Sequence, residues 1–160
     1  LEAGMMDLTL TSVDVVQHAR DILESFTAQA LRQQIDLHFD GPPHAYARAD
    51  QAAVQRVMSN LLSNAVKFTE ENGEVTVRVR TSGSVITIAV SDTGVGIDPE
   101  FMPHLFDAFR QESSGNARQF EGSGLGLAIT RRLVRLMGGT ISVESTKHEG
   151  TTVTVELPCA

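Results

Sequence analysis

Asn60, Asn64 and Lys67 stand close together in the stretch "NLLSNAVKFT" (60–69). At about 100° per residue the three fall within a ~60° arc of one helix. Val54, Val57, Leu61, Ala65 and Phe68 lie beside that arc, on the buried side. Amide oxygens are hard donors suited to Mg2+, and an ammonium suits a phosphate. Mid-helix asparagine competes for backbone hydrogen bonds, so two at this spacing call for a reason beyond propensity. Taken alone, the pattern equally fits an ordinary polar helix face.

More polar groups sit in two glycine-rich loops, "SDTGVGI" (91–97) and "GSGLGLAI" (122–129). Such spacing lets the backbone approach a ligand closely. Asp92 opens the first loop at a strand end. As a carboxylate it only accepts hydrogen bonds, which suits the exocyclic amine of a base; a plain turn aspartate reads the same way. Asp-Thr-Gly also marks aspartic proteases. That chemistry needs a second such aspartate sharing a proton, from a partner or a repeat. It also expects a small hydroxyl residue where Val95 stands. The second loop is predicted to run straight into a helix, so that free N–H groups and the helix dipole face a ligand. The P-loop, dinucleotide and protein-kinase patterns fail. There is no Gly-Lys-Ser/Thr, Leu127 stands at the third fingerprint glycine, and no Val-Ala-Ile-Lys is present. Arg110, Gln111 and Arg118, in "RQESSGNARQFE" (110–121), could fold over a phosphate from a mobile loop, or belong to a plain surface loop. His18, His38, His44, His104 and His148 show no metal spacing.

The elements that must position these groups follow from periodicity. Residues 1–7 read as the end of an upstream helix. A single amphipathic helix is predicted from Asp14 through "DVVQHARDILESFTAQALRQQ", then a strand at 35–39 broken by "GPP". Asp50 caps a helix to about Phe68. "GEVTVRVRT" and "SVITIAVSD" form a hairpin around Ser82-Gly83. Asp98-Pro99-Glu100 reads as a helix start. A helix from about Ser123 to Met137 ends at Gly138-Gly139, and "TISVES" with "TTVTVEL" closes the chain as a hairpin. The expected fold is an α/β (α+β) two-layer sandwich. A mixed, mostly antiparallel sheet of about five strands would carry about three helices on one face.

The chain has 160 residues, 41% of them hydrophobic, which suits one domain with a real core. A net charge of −7 argues against nucleic-acid or anionic-membrane surfaces. Cys159 is the single cysteine, which excludes a disulfide framework and points to a reducing, cytoplasmic setting.

"NLLSNAVKFT" (60–69), "DTGVGI" (92–97), "LFDAF" (105–109), "GSGLGLAI" (122–129) and "GTTVTVELP" (150–158) together resemble the boxes of bacterial sensor histidine kinases. The resemblance is to their catalytic ATP-binding domain, of the GHKL ATPase superfamily, and runs from Leu8 to Pro158. It implies ATP and Mg2+ as ligands. Asn64 resembles the Mg2+-ligating asparagine, with Asn60 beside it on metal and phosphates and Lys67 on a phosphate. Asp92 resembles the acceptor of the adenine amine, with Gly94, Gly96 and Ile97 in the same wall and Thr151 nearby. Phe106 and Phe109 resemble the lid anchor. Gly122, Ser123, Gly124, Leu125, Gly126 and Leu127 match the second glycine box. Gln111 stands where many relatives place an arginine that reaches the γ-phosphate, a glutamine there resembling hybrid-type kinases, and Arg118 is the lid cation the resemblance implies. Glu121 replaces a frequent glycine.

Hydrolases of the superfamily carry a water-activating glutamate four residues before the metal asparagine. Asn60 occupies that position, and an amide cannot accept a proton at neutral pH. The resemblance therefore favours phosphoryl transfer over hydrolysis, with an ATPase or a non-catalytic nucleotide-binding module as alternatives. The family's phosphoacceptor motif is not in these residues, and residues 1–10 resemble the linker from a dimerisation helix, with the catalytic domain spanning 11–160. The implied partners are the parent's own dimerisation and histidine phosphotransfer domain and a response regulator receiver domain. The isolated domain is expected to be a monomer and its parent a homodimer.

Overall fold

The computed structural model describes residues 7–107 and 117–160, the stretch 117–126 by its backbone alone. The main sheet has the order β2 (Asp36–Asp40), β4 (Glu74–Ser82), β5 (Val85–Asp92), β7 (Gly150–Pro158), β6 (Thr140–Thr146). Only β2 and β4 run parallel, and the other neighbours are antiparallel. Helices α1 (Val15–Ser25), α3 (Gln51–Phe68) and α4 (Ala117–Leu136), with the short α2 (Thr27–Gln33), complete the two-layer sandwich. Along β4 and β5 every second residue faces the helices: Val75, Val77, Val79, Ile86, Ile88 and Val90 are all buried. The expected five-stranded, mostly antiparallel sheet is what the chain forms.

α3 begins where expected. The Asp50 carboxylate accepts from Ala53 N at 2.8 Å, while its other oxygen takes Thr9 N at 2.8 Å. Val54, Val57, Leu61, Leu62, Ala65 and Val66 form its buried stripe. Each fully buried valine or leucine contributes roughly 1.5–3 kcal/mol. The stripe therefore fixes which way Asn60, Asn64 and Lys67 face.

Other elements depart from the sequence expectation. The single first helix divides at Phe26 (φ −99°, ψ 0°). There the Ser25 and Thr27 hydroxyls donate back to the carbonyls of Ile22 and Leu23, competing with the helical ladder. A small second sheet pairs β1 (Thr11–Asp14) with β3 (Tyr46–Ala49). The helix predicted at Asp98 is only a cap and a 3-10 turn, Met102–His104. Asp98 does cap, its carboxylate accepting from Glu100 N at 2.9 Å. Pro103 lacks the N–H that an α-helix would need next.

α4 starts at Ala117 rather than Ser123, so part of the stretch expected to be a loop is helical. Ala117-Arg118-Gln119-Phe120-Glu121 contains no breaker, and propagation adds one hydrogen bond per residue. The second glycine box therefore lies inside the helix and not at its N-terminus. It weakens that stretch by about 1 kcal/mol per glycine relative to alanine.

Candidate functional site

A cavity opens between α3, the sheet and the start of α4's buried stripe, enclosing about 520 Å3 including its mouth. Leu61, Ala65 and Phe68 of α3 form one wall. Val90, Val143 and Val153 form the sheet floor, and Ile97, Leu105 and Leu127 close the rest. Three polar side chains enter this apolar lining: Asn64, Asp92 and Thr151.

Asp92 is the last residue of β5, held opposite Thr151 of β7. Its carboxylate accepts from Gly94 N at 2.8 Å and from Thr151 N. Burial nevertheless pushes its pKa up to about 6, because these two N–H donors offset only part of the lost hydration.

The loop after Asp92 is fastened on both sides. Val95 N donates to the Phe68 carbonyl at 3.2 Å, and His148 N to the Val95 carbonyl at 2.6 Å. Ile97 N donates to Ser145 Oγ at 2.8 Å. The close passages explain the glycines. A Cβ at Gly94 would run into the Phe68 carbonyl. Gly96 sits at φ +75°, and a Cβ there would meet the Thr146 carbonyl. Ser145 was not foreseen from the sequence. Its hydroxyl also donates to the Gly150 carbonyl at 3.1 Å and lies 2.8 Å from Thr151 Oγ1, so it couples the loop to the last hairpin.

On α3 the three expected groups separate. Asn64 is half-buried on the cavity wall and makes no side-chain hydrogen bond among the described residues. Asn60 does not line the cavity. Its Nδ2 donates to Thr130 Oγ1 of α4 at 3.2 Å. Lys67 is exposed, its Nζ 5.6 Å from the Phe68 ring centroid. Thr130 was also missed. A threonine in the apolar stripe Leu127, Thr130, Val134, Met137 was the available signal.

Phe106 packs against the core under the Arg131 guanidinium, 5.1 Å from its ring centroid. Phe109 and Gln111 lie outside the described residues, as do the side chains of Arg118, Ser123 and Leu125. Among the described residues no group of histidine, cysteine, aspartate and glutamate is placed to hold a metal, and no helix is long and apolar enough to cross a membrane.

A cavity with an apolar lining, one buried acceptor and one amide suits a flat aromatic ring that presents an amine. Residues 49–160 match the family described as histidine kinase-, DNA gyrase B- and HSP90-like ATPases. The chain belongs to that family.

The circadian input-output histidine kinase CikA of Synechococcus elongatus is 38% identical over 162 residues, covering 99% of this chain and 21% of its own. The chain thus spans about a fifth of that relative's length. Full-length ShkA, solved in complex with AMPPNP, is 31% identical with a TM-score of 0.83, covering 97% of this chain and 32% of its own. The histidine kinase ThkA, solved in complex with the response regulator protein TrrA, shares the fold at 23% identity and a TM-score of 0.78, covering 94% of this chain and 42% of its own. This ATPase-family domain is an ATP-binding domain of the histidine-kinase kind.

Proposed function

We propose that this domain binds Mg-ATP with the adenine in the Asp92 cavity and the phosphates toward Asn64. We propose further that it hands the γ-phosphoryl group to a histidine on the dimerisation domain of a sensor histidine kinase. The observation that carries the reading is Asp92: an unneutralised carboxylate in an apolar cavity, its neighbours fixed by glycine backbone, made to accept a base amine. Ile97 and Leu105 supply apolar surface for the ring, and Thr151 flanks its polar edge.

Asn64 fits a hard cation, since its amide lines the cavity without a side-chain hydrogen bond among the described residues. Bound Mg2+ would supply charge neutralisation to the phosphates. Asn60 assists from the neighbouring turn, and Lys67, in the last turn of α3, meets a phosphate. Gly122, Gly124 and Gly126 border the phosphates, where their low helix propensity makes α4 cheapest to unwind. Gln111 and Arg118 act from the lid. With an amide at Asn60 there is no general base for water, so transfer is preferred to hydrolysis. The response regulator that would take the phosphoryl group onward is proposed from kinship to ThkA and its TrrA complex.

The test is transfer of label from [γ-32P]ATP to a separately produced dimerisation domain of the parent. Acid-labile, base-stable label on that domain is expected. Steady release of inorganic phosphate with no labelled acceptor would replace this reading with an ATPase.

A further inference from the structure

The chain buries two polar side chains among its described residues, Thr69 and Thr130. Thr69 is a helix-end residue whose hydroxyl donates to the Ala65 carbonyl at 2.6 Å. Thr130 is fully buried in a stripe otherwise built of Leu127, Leu133, Val134 and Met137. Valine has the same shape and no polar atom, and a buried hydroxyl is unfavourable unless it is bonded. Thr130 Oγ1 takes its bond from Asn60 Nδ2, across the contact between α3 and α4.

A side-chain amide has one donating end and one accepting end. With the nitrogen tied to Thr130, Oδ1 is the end that carries no hydrogen bond among the described residues, and oxygen is the atom that ligates a hard cation. Asn64, one turn further along α3, carries no such tether among the described residues. The neighbouring amides therefore differ: one is oriented by the protein, the other is left to its ligand. We propose that Thr130 is a positioning residue, fixing the Asn60 amide oxygen-outward and thereby setting the Mg2+-dependent part of nucleotide affinity. The functional half rests on the Mg-ATP reading above, while the hydrogen bond stands without it.

Two measurements on the chain test this, each with Thr130→Val and Thr130→Ser. The first is water exchange of the Asn60 side-chain amide protons by 15N NMR without nucleotide, with exposed Asn72 as internal reference. Exchange slower than at Asn72 is expected in the wild type and in Thr130→Ser, with the difference lost in Thr130→Val. The second is affinity for AMPPNP with Mg2+ and with a chelator. Thr130→Val is expected to lose about fivefold with Mg2+ and nothing with chelator, and Thr130→Ser to match the wild type.

Unchanged exchange and an unchanged Mg2+ ratio in Thr130→Val would overturn the proposal. An equal loss with Mg2+ and chelator would also overturn it, by leaving Thr130 a packing role only. A wild type that binds AMPPNP with no Mg2+ dependence would overturn the Mg-ATP reading and this functional half together. The exchange data would still report the bond separately.

Discussion

At the Asp92 end of the cavity the backbone itself is held, with Val95, Ile97 and His148 each bonded across to a neighbouring element and the Asp92 carboxylate bonded to two N–H groups. At the α3 end the polar groups are side chains, and only Asn60 has a protein hydrogen bond among the described residues. The contrast separates two tasks. A flat, uncharged ring is recognised by shape, so its wall is built before the ligand arrives. A phosphate chain with its cation is recognised by charge, which flexible amides and an ammonium can meet after it arrives.

The sharpest way to break this contrast is to disturb the rigid end. Gly96→Ala must place a Cβ at φ +75° against the Thr146 carbonyl. It is expected to lower stability by roughly 3 kcal/mol, read as a fall in Tm with nucleotide affinity falling alongside. A Tm near that of the wild type would mean that the loop gives way and is not a fixed wall.

Asp92 should show the opposite signs for stability and binding. Its pKa is raised to about 6, so the folded chain holds the proton more tightly than the unfolded chain does. Stability therefore falls as pH rises from about 4 to about 6 and is level above. Asp92→Asn should remove that slope and recover part of the roughly 3 kcal/mol that the shift represents. Nucleotide affinity should run the other way, weakening as pH drops below about 6 and Asp92 takes up its proton. Thermal melts and AMPPNP titrations across that window check both signs. The smallest effect is expected at the adaptable end: Lys67→Ala should weaken AMPPNP by about two- to threefold, and less in high salt, as for an exposed charge.

The same division governs what could be read from the sequence. Asp50, Asp92 and the glycines of the first loop were legible because local chemistry dictates their roles: a cap, a strand end, a close backbone approach. α3 was legible because its apolar stripe is long and regular. The start of α4 was not. Its glycines read as a loop, yet the residues before them favour helix. β3 was missed because Ala47 and Ala49, fully buried on its inner side, give a weak strand pattern. At Asp98 the cap is a strong local signal, and Pro103, four residues past Pro99, is what prevents the expected helix. Thr130 and Ser145 were invisible for another reason: Asn60 and Ile97, which they tie down, lie seventy and forty-eight residues away in sequence. No periodicity carries that information.

The proposed polarity of the site sets the base at Asp92 and the cation at Asn64. One experiment tests it most directly: AMPPNP titration of the wild type, Asp92→Ala and Asn64→Ala, each with Mg2+ and with chelator. Asp92→Ala is expected to lose about a hundredfold in both conditions, whereas Asn64→Ala loses its Mg2+ dependence and keeps the chelator affinity. Full Mg2+ dependence in Asn64→Ala, or wild-type binding by Asp92→Ala, would contradict it.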